Sequence, residues 1–193
     1  LNLDLILPTH SDCNPCLESE GRLIGDFFQV VSPGIANGQT INLYGSDSLS
    51  VSMRYSKGGV FIQKTTTFYG DSYVIKHDYD VEALNPRLFI NWAGGLRTTE
   101  KNLYEELTYS SAYIGQEKEL SNISLSPSSL EDAISREYFP GKTDWVAVRN
   151  KYFISSLISS QAIGGQLSAR TYRLNQSALI PLYSVGLEFD SPS

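Results

Sequence analysis

The sequence predicts a mainly β protein of the sandwich type. Short runs rich in Val, Ile, Thr, Tyr and Phe recur at roughly ten-residue spacing, turn-forming residues separate them, and helical patterns are few. β-Branched and aromatic side chains suit a pleated, half-buried surface. The 193 residues suffice for one sizeable domain, and no linker-like stretch divides them. We therefore expect a single β-sandwich domain over residues 1–193.

The predicted strands follow one another along the chain. Leu49–Tyr55 alternates apolar and polar residues, as a half-buried strand does. The runs Val60–Phe68 and Tyr73–Val81 flank the turn Tyr69-Gly-Asp-Ser72, and this arrangement predicts a hairpin. Further strands are predicted at Arg87–Trp92, Ala169–Leu174 and Leu179–Phe189.

Two short helices are predicted between the strands. Thr98–Leu107 pairs Lys101 with Glu105 four residues later, a spacing that brings opposite charges together on a helix. Ser128-Ser-Leu-Glu131 has the form of a capping box and would open one or two turns through Ile134. Neither helix is long enough to organise the fold.

The segment Asp144–Ile158 is apolar at most positions and includes three large aromatic residues. Its short polar interruption, Arg149-Asn-Lys151, marks where the chain turns or reaches the surface. This composition predicts a core segment. We expect Trp145 and Phe153 to be buried, so that truncating either to alanine would cost about 3–5 kcal/mol.

Composition and charge exclude several classes of function. The net charge is −6, with acidic and basic residues mixed along the chain, whereas non-specific nucleic-acid binding needs a cationic stripe. A polybasic lipid-binding surface is disfavoured for the same reason. No apolar run approaches the ~18 residues that span a bilayer. Because the chain opens at Leu1 and shows no signal-peptide pattern, we expect an internal fragment of a longer protein.

Cys13 and Cys16 form a Cys-Asn-Pro-Cys motif with His10 three residues upstream, and three interpretations compete. A redox pair would need the first cysteine at a helix N-terminus, which the flanking prolines disfavour. A zinc site would need a fourth ligand, for which Asp12 is a poor candidate. The third interpretation, a local turn whose thiols are oxidised in an exported protein, is favoured, and both cysteines are expected to be dispensable.

The sequence predicts no catalytic, cofactor-binding or metal-binding residue. Its second histidine, His77, lies inside a predicted strand without an evident partner and is expected at the surface. Since adjacent strand residues point to opposite faces, Asp78-Tyr-Asp80 and Glu105-Glu106 are not predicted to form an acid/base pair. The glycine pairs match neither the dinucleotide-binding fingerprint nor the phosphate-binding loop and indicate turns.

Four blocks of the sequence resemble, in their order, the large periplasmic domain of YidC-type membrane protein insertases. The first resembles a family hairpin in which an apolar strand enters a short turn followed by Ser-Tyr and a second strand. The last is the Trp-Val-Ala…Tyr-Phe…Leu-Ile segment. In this sequence the blocks are Lys64–Asp80, Asn91-Trp92 with Leu96–Lys101, Glu105 with Tyr109-Ser110 and Ala112-Tyr113, and Trp145–Ile158. The resemblance covers about residues 60 to 160, without the two cysteines.

The resemblance implies a particular architecture. It is a β-supersandwich of twisted antiparallel sheets, similar in shape to galactose mutarotase, with one or two short helices. The fragment would lack the outermost strands of the parent domain and all of the parent's transmembrane helices. The structural core of the shared motifs would include Tyr73, Trp92, Trp145, Tyr152 and Phe153.

The resemblance also implies a location and a function. In the family this domain lies on the periplasmic side of the bacterial inner membrane, and the full-length proteins help membrane proteins insert and fold, alone or with the Sec translocon. The domain itself is associated with the SecD/SecF accessory proteins. The chain would therefore be a non-catalytic interaction domain without a cofactor. Its partners would be SecD/SecF, the Sec translocon and, through the full-length parent, nascent membrane proteins.

A carbohydrate-binding or mutarotase-like β-sandwich is the alternative. Such an enzyme needs an acid and a base that converge on the sugar ring, and His10 and His77 offer no evident pair. The 12 Tyr and 2 Trp could stack on sugar faces, although cross-strand packing would equally account for them. A row of exposed aromatic residues on a concave sheet would favour this alternative.

Overall fold

The computed structural model describes residues 14–24, 28–35, 38–82, 87–98, 102–126, 134–173 and 179–190. These residues form fourteen strands and one short helix. In chain order the elements are β1 (Cys16–Ser19), β2 (Arg22–Ile24), β3 (Gln29–Val30), β4 (Ser48–Lys57), β5 (Val60–Tyr69), β6 (Lys76–Glu82), β7 (Arg87–Trp92), α1 (Leu103–Thr108), β8 (Ser111–Gln116), β9 (Glu119–Ile123), β10 (Ile134–Pro140), β11 (Trp145–Arg149), β12 (Ile154–Ile158), β13 (Gly164–Arg173) and β14 (Leu179–Asp190). In the described part of the chain, no helix is long and apolar enough to cross a bilayer.

The strands form three antiparallel sheets, which confirms the mainly β prediction. Sheet A has six strands in the order β10-β13-β14-β7-β1-β2. Sheet B has four strands in the order β3-β4-β5-β6, and sheet C has four in the order β12-β11-β8-β9. The chain divides into two compact units, residues 1–24 with 87–190 and residues 25–86 with 191–193, a division that the single-domain expectation did not include.

The first unit is a sandwich in which sheets A and C pack face to face. Alternate residues of each sheet point into the shared interior, because successive side chains of a strand face opposite ways. Sheet C contributes Ala112, Ile114, Ile123, Val146 and Val148 to this core, and sheet A contributes Leu167, Ala169, Tyr183, Val185 and Leu187.

The second unit is built on sheet B, whose long hairpin β4–β5 pairs Ser48 with Tyr69 and Lys57 with Val60. The predicted strands Leu49–Tyr55 and Val60–Phe68 are both found and are slightly longer than expected. The predicted strand Tyr73–Val81 begins only at Lys76. Tyr73, Val74 and Ile75 instead belong to the exposed loop between β5 and β6, whose pairing ends at Thr67 with Lys76.

The strands predicted at Arg87–Trp92, Ala169–Leu174 and Leu179–Phe189 correspond to β7, β13 and β14. The first predicted helix is confirmed only over Leu103–Thr108. Glu105, expected to pair with Lys101, forms an ion pair with Lys151 at 3.2 Å, and Lys101 lies outside the described residues. The capping box at 128–131 also lies outside them, whereas Ile134, its expected last residue, begins a strand.

Candidate interaction surface

The apolar segment Asp144–Ile158 folds into the hairpin β11–β12 at one side of sheet C. In this hairpin Val146 pairs with Leu157, and Val148 with Ser155. Strand β11 lies between β8 and β12, and its two valines are buried in the core. Strand β12 is the outermost strand, and every second residue of it is exposed. The predicted core segment is therefore half core and half surface.

Asn150 builds the turn between the two strands. Its side chain is 2% exposed, and its Oδ1 accepts hydrogen bonds from the backbone N–H groups of Tyr152 and Phe153, at 3.0 and 2.8 Å. Its Nδ2 donates to the Arg97 carbonyl at 3.0 Å. An asparagine side chain that bonds the backbone two and three residues later stabilises a tight turn. The turn expected at Arg149-Asn-Lys151 is thereby confirmed and held in one conformation.

This turn presents apolar side chains to solvent. Tyr152 is 56% exposed and Phe153 is 42% exposed, so the expected burial of both is wrong. The exposed surface continues along β12 with Ile154 at 63% and Ile158 at 76%. The physical reason is that Tyr152 and Phe153 lie in the turn, and that Ile154 and Ile158 lie on the face of β12 that points away from the core. We call Tyr152, Phe153, Ile154 and Ile158 the hairpin surface.

The other three expected core residues have different environments. Trp92 is half-buried against the core, and its Nε1 donates a hydrogen bond to the Gly95 carbonyl at 2.9 Å. Trp145 is half-buried and lies across Gly115 of β8, so closely that a Cβ at position 115 would collide with the indole. Tyr73 is fully exposed in the β5–β6 loop, which corrects its assignment to the core.

The structure also contains a buried carboxylate that sequence reasoning missed. Glu188 of β14 is 1% exposed, accepts a hydrogen bond from the Tyr138 hydroxyl and lies 3.4 Å from the Arg87 guanidinium. The hydrogen bond to Glu188, followed by burial, raises the pKa of Tyr138. The tyrosine reaches the carboxylate over Gly164, where a Cβ would fill the space between them. These contacts link β10, β14 and β7 and stabilise sheet A. The one signal that could have predicted them is the pairing of Gly164 with Glu188, which requires knowledge of the strand register.

His77 is half-buried, not at the surface as expected. Its Nδ1 lies 3.0 Å from Thr66 Oγ1, with which it shares a hydrogen bond. Burial, aided by the positive charge of Lys64, lowers the pKa of His77 to about 4. Burial also lowers the pKa of Lys64 and raises that of Tyr79, over whose ring the Lys64 ammonium lies at 5.4 Å. A neutral, hydrogen-bonded imidazole on a partly buried sheet face is a packing residue.

The remaining polar candidates do not assemble into a reactive site. Asp78 and Asp80 are two residues apart and lie on the same exposed face of β6, contrary to the expectation of opposite faces, and Lys76 lies 2.9 Å from Asp78. Within the described ranges, no group of three or more His, Cys, Asp or Glu could hold a metal ion. Cys16 is buried and disulfide-bonded, which favours the oxidised interpretation, whereas His10 and Cys13 lie outside the described residues.

The comparisons with known proteins agree with one another. Residues 35–189 match the family model described as YidC periplasmic domain. The chain is 30% identical over 146 residues to the membrane protein insertase YidC of Chloroherpeton thalassium, covering 72% of this chain and 24% of that protein. It is 31% identical over 157 residues to the protein of the same name from Chlorobaculum tepidum, covering 77% and 26%. With the corresponding Chlorobaculum parvum protein it shares 36% identity over 113 residues, covering 54% and 18%.

The chain thus spans about a quarter or less of the length of these relatives. No solved structure gives a significant match.

Proposed function

Because the chain belongs to the YidC periplasmic domain family, we propose that it is a non-catalytic interaction domain of a membrane protein insertase. The observation that supports this proposal is the family match, which covers 155 of the 193 residues as positions 35–189. The matched range includes all of sheet C, the strands β7, β10 and β13 and nearly all of β14 of sheet A, and the whole hairpin surface. The insertase as a whole would assist insertion and folding of membrane proteins, and this domain would contribute binding.

The environments of the polar groups support a role without catalysis. A general base must be free to take up a proton near the working pH. His77 is hydrogen-bonded to Thr66 and has a pKa of about 4, and Glu188 is engaged by Tyr138 and Arg87. No observation favours the carbohydrate-binding alternative.

The proposal places the domain on the periplasmic side of the inner membrane, with the SecD/SecF accessory proteins as its partner. The disulfide at Cys16 supports an oxidising compartment. The net charge of −6 and the exposed apolar hairpin surface suit a contact with protein better than one with nucleic acid. Such a contact can be weak, because parts confined to one membrane meet at high effective concentration.

Photocrosslinking tests the partner. We would place probes on exposed positions in both units of this domain, within the full-length insertase in membranes. The positions would include Tyr152 and, on the opposite edge of sheet C, Glu119. We expect a crosslink to SecD or SecF from one contiguous group of positions. If probes over the whole surface give no crosslink, the proposed partner is wrong.

A sugar assay tests the absence of catalysis. We expect no mutarotation of galactose or glucose above the buffer rate. Turnover well above that rate, abolished in His77→Ala, would contradict a non-catalytic role.

A further inference from the structure

The three sheets end in six edge strands, and these edges are protected in different ways. Exposed edges invite pairing with other chains, and natural proteins shorten them or place charges on them. Strands β2 and β3 are only three and two residues long. Charged side chains lie on three of the four remaining edges: Lys76, Asp78, Asp80 and Glu82 on β6, Glu119 on β9, and Arg136 and Glu137 on β10.

Strand β12 has neither form of protection. Its five residues, Ile-Ser-Ser-Leu-Ile, include no charge and no proline, and two of its side chains are large, apolar and exposed. Across the described ranges it pairs with β11 alone. An edge of this length and composition has the character of an interface rather than a solvent-facing edge.

The hydrogen bonds of the hairpin show which backbone groups of β12 face outward. Asn150 N–H donates to the Phe153 carbonyl at 3.0 Å, and Ser159 N–H donates to the Asp144 carbonyl at 3.1 Å. In an antiparallel pair, residues bond to the neighbour at every second position. Positions 153, 155, 157 and 159 therefore bond toward β11, and Ile154, Ser156 and Ile158 direct their N–H and C=O groups to the open edge.

The outward-facing residues read Ile, Ser, Ile in both chain directions, with Ser156 at the centre. We propose that β12 pairs antiparallel with β12 of a second copy of this chain, about a twofold axis at Ser156. Ile154 then lies opposite Ile158 of the second copy, and the two serines face each other. This self-complementary spacing is what a twofold interface requires, and it is the reason for choosing a second copy over an unrelated extended peptide.

The pairing joins two copies of sheet C into one continuous sheet. It forms about six main-chain hydrogen bonds, with opposed Cα atoms about 5.5 Å apart. The isoleucines become cross-strand pairs on the outer face, and the backbone groups of an exposed edge gain partners. An interface of two five-residue strands is small, so we expect a weak dimer that forms at high protein concentration. The inference concerns self-association and does not depend on the proposed contact with SecD/SecF.

A cysteine pair of variants tests the geometry. Ser156→Cys places two thiols opposite each other at a Cα separation suited to a disulfide. Ser160→Cys is the matched control, since Ser160 is also exposed, yet its two copies would be about 26 Å apart along the paired strands. Under mild oxidation we expect Ser156→Cys to form a disulfide-linked dimer at least ten times faster than Ser160→Cys does. Equal rates from the two variants would overturn the proposal.

A second pair of variants tests the backbone bonds. Ser156→Pro removes an outward-facing N–H while leaving the bonds to β11 in place, and Ser156→Ala changes the side chain alone. In sedimentation experiments at several hundred micromolar, we expect the unsubstituted chain and Ser156→Ala to form dimers. Ser156→Pro should dimerise at least tenfold more weakly. If the unsubstituted chain stays monomeric at this concentration, the proposal is wrong. The proposal would also be wrong if the unsubstituted chain stayed monomeric and bound a different extended peptide. If Ser156→Pro fails to fold, the comparison of Ser156→Cys with Ser160→Cys still tests the proposal.

Discussion

Strands β11 and β12 lie side by side in one hairpin and have similar apolar composition, yet β11 is mostly buried and β12 is mostly exposed. Val146 and Val148 of β11 are buried in the sandwich core, whereas Ile154 and Ile158 of β12 are largely exposed. Each strand offers one face to sheet A, but among the described residues only β11 has a neighbouring strand on both sides. Val146 and Val148 lie on the inner face, where they pair with Leu157 and Ser155, whereas Ile154 and Ile158 lie on the outer face, opposite Arg149 and Trp145. The difference shows that the burial of an apolar side chain in this hairpin depends first on the face of the sheet that it occupies.

The two sides of the hairpin should therefore respond differently to substitution. Changes in β11 and in the turn affect buried contacts, and changes on the outer face of β12 affect side chains that are already largely hydrated. The comparison extends to β6, another edge strand, which keeps its charged residues on one face and a partly buried histidine on the other.

The largest effect is expected at the turn that joins the strands. Asn150→Ala removes the three hydrogen bonds that this buried side chain makes with the backbone of Arg97, Tyr152 and Phe153, two as acceptor and one as donor. We expect a loss of about 3 kcal/mol in the free energy of unfolding, measured by urea denaturation. The control is Asn122→Ala, an exposed asparagine of β9, which should stay within about 0.5 kcal/mol of the parent. Similar values for the two variants would show that the turn is not held by Asn150.

The next effect distinguishes the two strands directly. Val148→Ala deletes buried methyl groups from the core and should cost about 2 kcal/mol. Ile154→Ala, on the outer face of β12, should cost less than about 0.5 kcal/mol in the monomer. Urea unfolding at low protein concentration measures both. A cost at Ile154 equal to that at Val148 would show that β12 is covered in solution.

A smaller, pH-dependent effect is expected in β6. The pKa of His77 is about 4 in the folded chain and near 6.5 when unfolded, so on acidification the unfolded state takes up the proton first. The stability from the neutral ring is complete above pH 6.5 and is lost as pH falls toward 4. The whole shift corresponds to about 3 kcal/mol, and because the ring is partly exposed we expect about 1 kcal/mol.

Urea unfolding at pH 7.5 and pH 5.0 measures this loss. His77→Gln cannot be protonated and keeps a hydrogen-bonding side chain beside Thr66. The unsubstituted chain should lose about 0.6 kcal/mol more than this variant between the two pH values, since pH 5.0 is still above the folded pKa of His77. Identical pH dependence would show that the ring is hydrated, and that Lys64 and Asp78 do not affect it as the structure indicates.

The smallest effect is expected where the sequence predicted a large one. Phe153→Ala should cost about 0.5 kcal/mol, far below the 3–5 kcal/mol expected of a buried aromatic residue, because the ring is already 42% exposed. Its backbone N–H, bonded to Asn150, is unaffected by the change. If the free energy of unfolding in urea fell by more than about 2 kcal/mol, Phe153 would be a core residue and would not belong to the hairpin surface.

The sequence by itself determined much of the local structure. Alternation and β-branched runs predicted the strands Arg87–Trp92 and Val60–Phe68 because strand formation depends on side chains adjacent in the chain. The turn at Arg149-Asn-Lys151 was predictable for the same reason: three polar residues interrupt an apolar run. The order of the family motifs also sufficed to identify the family.

The tertiary structure alone decided which of these elements lie inside. Tyr152 and Phe153 resemble core residues, and they are exposed because they lie in the turn between β11 and β12. Glu188 resembles a surface residue, and it is buried because Tyr138 and Arg87 from other strands reach it. Strand order and the arrangement of distant strands depend on contacts between residues far apart in sequence, and composition and periodicity describe only near neighbours.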